Sequence, residues 1–329
     1  MFRYACPISF PHQRFISHFH RRQKSTMKGT VTTLIDPELC IGCGLCIRVC
    51  PSGTISMQGN KAVVSGKESL NCGHCAAVCP AGAVRVTALE NNALTFQTFQ
   101  PDERWLPFGK FDTAELVRLM RSRRSCRNYK DRPVEKVLLE DLVRIGITAP
   151  SGTNSQKWTF TLLSSREQVL AFAERIGGFF RRLNHMAEKK WLRTLLRYMG
   201  KPRLEIYYRE YYESVKKALS EYENSGRDSV FHGAAAAIIA GSEPGAGCPA
   251  EDALLATQNI LLGAHAMGLG TCLIGFAVEA MRQDREIARF AGIPAGEKVY
   301  SVIALGYPDE AYQRLTGRKE AVVRYAACH

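Results

Sequence analysis

The chain has 329 residues, 46% of them hydrophobic, with a formal net charge of +13 and twelve cysteines. That length points to two domains, the larger long enough to bury a sizeable core. No apolar run reaches the ~20 residues that a membrane-spanning helix needs, and seven of the cysteines fall between Cys40 and Cys79 behind no secretory apolar segment. A bilayer-embedded protein and a disulfide scaffold are therefore not expected, and metal-bound thiolates in a reducing, cytoplasmic setting are.

Residues 1–28 carry Arg3, Arg14, Arg21, Arg22, Lys24 and Lys28 and no acid. Such a leader reads either as an organellar targeting peptide or as an overcalled start, because Met27 directly precedes the first recognisable unit. The cysteine-rich unit spans 30–89, and 90–110, with Pro101 and Pro107, reads as a linker. Residues 111–329 read as one alternating helix and strand domain.

Within that domain, FDTAELVRLMRSR predicts a helix capped by Asp112, with Glu115 completing a capping box. EKVLLEDLVRIGITA predicts a second helix ending at Pro150, and WTFTLL a strand. The apolar run AAAAIIAG from Ala234 suits a buried strand. A helix over Glu251–Met267 is expected to stop at the glycines of GLG, with strands TCLIGF and KVYSVIALGY after it. Residues 171–228, rich in Arg, Lys and Tyr, predict a helical, lid-like insertion. Its stretch Arg181–Lys217 holds eleven basic residues against four glutamates, a solvated face or a docking surface for an acidic partner rather than a nucleic-acid module.

Cys40, Cys43, Cys46 and Cys50 follow the spacing C-x2-C-x2-C-x3-C and precede Pro51. Three thiolates on one tight loop, with Gly42 and Gly44 letting the backbone curl, suit an iron–sulfur cube. A second copy supplies Cys72, Cys75, Cys79 and Pro80, but Ser69 stands where its first cysteine belongs. Zinc ribbons also use C-x2-C pairs; the x2, x2, x3 run, the proline and the repeat favour iron. The unit resembles the bacterial two-cluster ferredoxins. That resemblance implies a pseudo-symmetric α+β fold and cross-ligation, with Cys40, Cys43, Cys46 and Cys79 on one [4Fe-4S] cluster and Cys50, Cys72 and Cys75 on the other. Ser69 oxygen, an exchangeable ligand or a three-iron form would complete the second site.

In the larger block, RSRRSCRNY places Arg123, Ser125 and Arg127 on alternate positions, a set suited to a phosphate monoester. APSGTNSQKW carries Pro150, Ser151, Gly152, Asn154 and Gln156, fit to meet the edge of a heteroaromatic ring, and GLGTCLIGF offers backbone at Ile274 and Gly275. In this order, with VIALGYP, the stretches resemble the nitroreductase family, and the whole chain resembles ferredoxin–nitroreductase fusions. The resemblance implies an α+β fold, a homodimer, and FMN held at its interface. Arg123, Ser125, Arg127 and a returning Arg318 would hold the phosphate, with Arg314 and Lys319 close enough to exchange roles with Arg318. The Pro150–Asn154 loop would come from the partner, and no catalytic acid or base is implied. Cys126 and Cys272 read as small buried hydrophobes.

The expected function is an FMN-dependent oxidoreductase that passes electrons from a reduced donor, ferredoxin or NAD(P)H, through the clusters to FMN and on to a small nitroaromatic or quinone-like acceptor. Direct reduction by NAD(P)H with the clusters as an outlet is the alternative enzyme reading. A non-catalytic carrier or redox sensor is the reading from another class.

Overall fold

The computed structural model describes residues 29–89 and 93–326; the basic leader lies outside them. The chain divides into two compact units, Met1–Glu90 and Asn91–His329. Among the described residues no helix is long and apolar enough to cross a membrane.

The first unit is built from short elements: β1 (Gly29–Thr30), β2 (Thr33–Ile35), α1 (Leu45–Arg48), β3 (Ile55–Gln58), β4 (Lys61–Val64), β5 (Glu68–Ser69), α2 (His74–Ala77) and β6 (Val84–Val86). They form three antiparallel pairs, β1 with β5, β2 with β6 and β3 with β4. The two halves repeat at the level of backbone angles. Gly42, Gly44 and Gly53 adopt left-handed φ of 71°, 70° and 62°, and Asn71, Gly73 and Gly82, each 29 positions later, adopt 48°, 77° and 63°. The core is small, with Ile55, Ala62, Ala83, Val84 and Val86 packing around Cys40, Cys46 and Cys75.

The second unit opens with α3 (Thr113–Ser122), α4 (Lys136–Gly146) and β7 (Trp158–Leu163). Four helices follow, α5 (Arg166–Glu188), α6 (Lys190–Tyr198), α7 (Arg203–Glu210) and α8 (Tyr212–Ser225). The remainder is β8 (Ala236–Ser242), α9 (Pro249–Ala266), β9 (Gly270–Leu273), α10 (Gly275–Gln283), α11 (Arg285–Phe290) and β10 (Lys298–Gly306). The strands make one antiparallel sheet in the order β7-β8-β10-β9.

Strand β8 is buried along its whole length because both faces of the sheet are covered. Successive side chains alternate between faces, so Ile238, Ile303 and Leu305 pack with Leu139 and Leu142 of α4 and Ile260 of α9. Ala237, Ile239, Val302 and Ala304 face the other way, toward Phe172 and Ile176 of α5 and Ala277 of α10. Two-sided burial explains why the sequence there shows a continuous apolar run rather than alternation.

Four expectations are refined. Asp112 caps α3 by accepting from the Ala114 and Glu115 amides, but the Glu115 carboxylate pairs with Arg118 at 2.6 Å. The strand expected over TCLIGF ends at Leu273, and Gly275 begins α10, whose Ala277, Ala280 and Met281 are buried. The segment 171–228 is helical, but α5 lies in the main core through Val169, Phe172, Ile176 and Phe180. Helices α6 and α7 form the added layer with part of α8, whose Val215 reaches the main core; Arg193 stitches the layer, bonding Glu205 at 3.0 Å and lying 3.5 Å over the Tyr208 ring. The stretch read as a linker is tied down at Gln97 and Thr98, whose amides donate to the buried Asp141 carboxylate at 2.7–2.9 Å.

Candidate functional site

In the first unit the thiols ring two loops. Gly42 sits at φ 71° against the Asn60 carbonyl, so closely that any Cβ would overlap it. The Cys40 thiol is pulled below its usual range by the amides of Ala62 and then Gly42; Ala62 donates to its Sγ at 3.4 Å. Burial pushes the Cys46 and Cys75 thiols up. Burial also opposes ionisation of Cys50, but the amides of Thr54 and Ser52 outweigh it and hold that thiol low. Amide donors aimed at sulfur are what a loop around an anionic cluster needs.

A cavity in this unit is lined by Cys50, Cys72, Cys75, Ser69, Thr54 and Val86. Cys50 comes from the first copy of the motif, whereas Cys79 does not line the cavity, so the side chains mix the two copies. Ser69 is buried on β5 and its Oγ accepts from the Asn71 amide at 3.0 Å. His74 places Nδ1 2.9 Å from the Cys72 sulfur. Asn71 also clamps the strand entering the unit: its Oδ1 accepts from the Thr32 amide at 3.1 Å and its Nδ2 donates to the Thr30 carbonyl at 3.0 Å. Among the described residues no three Cys, His, Asp or Glu side chains converge as the ligands of a single ion. A structural zinc needs four donors at about 2.0–2.3 Å from one point. Donors spread around a volume fit a polynuclear group instead.

In the second unit, Arg123 leaves the C-terminal end of α3, and Ser125 bridges to Thr271 of β9, so the RSCRN stretch runs along the sheet edge. The Cys126 amide donates to the Thr271 carbonyl at 2.9 Å, and Cys126 and Cys272 are both buried. Burial pushes the Cys126 thiol up to about 11 and raises Cys272 as well. Neither offers a thiolate at neutral pH.

Arg123 is half-buried, and its pKa is lowered by that burial and then by the charges of Arg124 and Arg318. Among the described residues its guanidinium meets no carboxylate. Arg124 instead donates to Thr316 at 2.7 Å, fixing the C-terminal stretch that brings Arg318 near. Arg127 faces Cys272 and His232, and both His232 and His265 are held below their usual pKa, first by burial and then by Arg127 and Arg123 respectively. Glu310 is the acid at this nest, engaged by Tyr312, by Asn128 at 2.7 Å and by the Arg127 amide. A desolvated arginine with like charges for neighbours is completed by an anion, so Arg123, Arg127 and Arg318 fit a phosphate; Ser125 lies exposed between the first two.

The APSGTN loop forms a short 3-10 turn over Gly152–Asn154, with Thr153, Asn154 and Gln156 all at left-handed φ. It is held by Asp252, a residue that the sequence reading passed over. Asp252 is buried in the first turn of α9 and accepts from the Gly152 amide at 2.8 Å. A Cβ on Gly152 would press on the Cys248 sulfur and amide at 2.8 and 2.9 Å, so this glycine is required by close packing. Ser151 Oγ accepts from the Gln156 amide at 3.0 Å and Gln156 bonds Asn154 at 2.9 Å, leaving Pro150 exposed on the rim. Immediately beyond the loop, the buried Trp158 Nε1 has no acceptor among the described residues. The Ile274 amide is committed to the Val302 carbonyl at 2.8 Å. The Gly275 and Phe276 amides open α10 and, among the described residues, have no intrahelical acceptor.

The structure sets Arg318 and Arg124 beside Arg123, with Arg123 and Arg127 both close to Cys272, but it does not bring the APSGTN loop to them. Asp252, which holds the loop, and His265, which feels Arg123, sit ~20 Å apart along α9 at 1.5 Å per residue. Within one chain the loop and the basic nest are at opposite ends of that helix.

A family model described as "Nitroreductase family" matches residues 120–307, and one described as "4Fe-4S dicluster domain" matches 4–54 and 39–83. A protein from Archaeoglobus fulgidus, provisionally named as an NADH dehydrogenase or NAD(P)H nitroreductase, is 26% identical over 203 residues, 60% of this chain and 87% of that protein. An iodotyrosine deiodinase from Thermotoga neapolitana is 26% identical over 214 residues, 64% of this chain and 97% of its own. A crystal structure of a nitroreductase with bound FMN from Bacteroides fragilis covers 65% of this chain and 99% of its own at 23% identity, with a TM-score of 0.48.

Proposed function

From the premise that the chain belongs to the nitroreductase family and carries a 4Fe-4S dicluster domain, we propose that it takes electrons from a reduced donor such as ferredoxin at its clusters and delivers them through FMN to a small nitroaromatic or quinone-like acceptor. The observation that carries this reading is the half-buried Arg123 beside Arg124 and Arg318, a partly desolvated positive site in which, among the described residues, no carboxylate pairs with Arg123. When bound, FMN can accept electrons singly and release them in pairs, which one-electron clusters cannot do.

The residues of this chain have distinct tasks. Arg123 and Arg127, with the Ser125 hydroxyl, hold the phosphate and fix the ring's distance from the sheet edge. The Gly275 amide would be the backbone donor toward the ring, and the start of α10 would add the positive end of a helix dipole, which favours negative charge nearby. Asp252 and Cys248 shape the 150–156 loop so that Ser151, Asn154 and Gln156 present hydrogen-bonding groups at the ring edge. No side chain is required as catalytic acid or base.

The ~20 Å separation along α9 supports a site shared between two copies, because one mononucleotide does not reach from the nest to the loop of the same chain. Helix α3 supports the same conclusion: it buries none of its residues and exposes Leu116, Val117 and Met120. The irregular stretch 310–326 exposes Tyr312, Leu315, Val322, Val323 and Tyr325. Contiguous exposed apolar residues of this kind mark an interface, and a second copy of the chain is the partner that fits.

Anaerobically purified protein is expected to release FMN on denaturation and to reduce a nitroaromatic with reduced ferredoxin as donor. Inactivity with ferredoxin despite bound, reducible FMN would overturn the proposed path. The provisional naming of the Archaeoglobus relative favours a second reading, direct reduction by NAD(P)H; bleaching of the flavin by NADPH without ferredoxin in anaerobic stopped-flow would support it.

A further inference from the structure

The second cysteine loop lacks one thiol, yet its backbone has not relaxed. Asn71, Gly73 and Gly82 hold the left-handed conformations of Gly42, Gly44 and Gly53, and α2 repeats α1 at the same spacing. A non-glycine residue at φ 48° is strained, and Asn71 is kept there by its bonds to Thr30 and Thr32. The loop thus keeps, through its own hydrogen bonds, the curl that the first copy uses around its thiols.

The position of the missing thiol keeps its surroundings as well. In the first copy the Ala62 amide donates to the Cys40 sulfur at 3.4 Å. In the second, the Asn71 amide, equivalent to that of Gly42, donates to Ser69 Oγ at 3.0 Å. Ser69 is buried, and it lines the same cavity as Cys50, Cys72 and Cys75. The alternative nearby ligand, His74, is exposed, does not lie at the vacant ligand position of the repeat, and is already engaged through Nδ1 with the Cys72 sulfur at 2.9 Å.

We infer that Ser69 Oγ is the fourth ligand of the second cluster, making it a four-iron cube bound by three thiolates and one serine oxygen, with His74 donating a hydrogen bond to the Cys72 sulfur. The binding step is a ligand exchange: the Ser69 hydroxyl loses its proton to solvent, an iron–oxygen bond forms, a bound water leaves, and no electron is transferred. The retained Asn71 amide stabilises the charge left on that oxygen. A harder donor on one iron sets this cluster's potential apart from that of its all-thiolate neighbour.

This inference rests on the reading of the N-terminal unit as a cluster domain, and the first cluster is its internal control. Full-length protein purified anaerobically should hold about eight irons and eight sulfides per chain, as two four-iron cubes require. Ser69→Ala should lose one iron and show the EPR signal of an oxidised three-iron cluster, or lose the second cluster outright, with the first cluster's spectrum unchanged. Ser69→Cys should keep the full iron content while the midpoint potential of one cluster moves and the other stays fixed. A three-iron signal in the unaltered protein, about four irons per chain, or Ser69→Ala and Ser69→Cys proteins with unchanged iron and unchanged potentials would each overturn the assignment. Absence of both clusters from the unaltered protein would overturn the cluster-domain reading itself.

Discussion

The two units gather their ligand-binding groups over very different distances in sequence. In the N-terminal unit the cavity lined by Ser69, Cys72 and Cys75 of one short loop also takes Cys50 from the other, and glycines or Asn71 in left-handed conformations bend the chain around it. In the C-terminal unit the candidate groups, Arg123, Gly152, Gly275 and Arg318, are spread over nearly 200 residues and are held by a buried sheet and the helices upon it, with Gly152 at the far end of α9 from the other chain segments. A local site is sensitive to a single backbone position and indifferent to the rest of the fold. A dispersed site tolerates local change but depends on the anchors that hold its segments.

Substitutions can break that contrast. Gly42→Ala should have the largest effect, because it forces a Cβ into the Asn60 carbonyl at a φ of 71°. Iron and sulfide should fall by about half as the first cluster is lost, while the FMN released per chain stays unchanged; loss of flavin in parallel would refute the independence of the two sites. Next comes Arg123→Ala, which removes a charge-assisted hydrogen-bonding group worth about 1.5–3 kcal/mol. FMN should bind ~10–150-fold more weakly in a fluorescence titration, whereas Arg124→Ala, whose guanidinium is spent on Thr316, should change it far less.

Asp252→Ala probes an anchor rather than a contact with the ligand. It leaves the Gly152 amide without its acceptor and should cost about 1–3 kcal/mol in urea unfolding. Ring-edge contacts should weaken while inorganic phosphate still protects the basic nest. The smallest effect is a pH dependence at Asp141. Burial works against its charge, but bonds from Thr98, Gln97 and Arg144 win and hold its pKa below the usual aspartate value. A depressed carboxyl pKa contributes stability that is present above the unfolded value near 4 and is lost as pH falls through the folded one. The protection factors of the Gln97 and Thr98 amides, corrected for the intrinsic pH dependence of exchange, should therefore fall only below about pH 4, and Asp141→Asn should flatten that response.

The cysteine loops were legible in the sequence because their chemistry and their backbone requirement fall within a dozen residues. So were the capping Asp112, strand β7 and the αL stop of α9, where Gly268 adopts φ 79°. Asp252 was not legible. An acid in the first turn of a helix is ordinary dipole chemistry, and only the loop that folds back from a hundred residues upstream makes it a buried acceptor. The start of α10 was missed because LIGF is apolar and short, a pattern that periodicity cannot divide between strand and helix. The core role of α5 was hidden by its many charges. Val169, Phe172, Ile176 and Phe180 keep helical spacing, but Glu174, Arg175, Arg181 and Arg182 mask it in a composition-based reading.

The side-chain amide of Asn71 fastens the threonines just after Gly29 to the loop that carries Cys72. With the pairing of β1 to β5, that latch couples the strand at Gly29–Thr30 to the loop behind it. A purification tag joined flush against Gly29, or a protease nick between Thr30 and Thr32, should bleach part of the brown colour without touching any sulfur ligand.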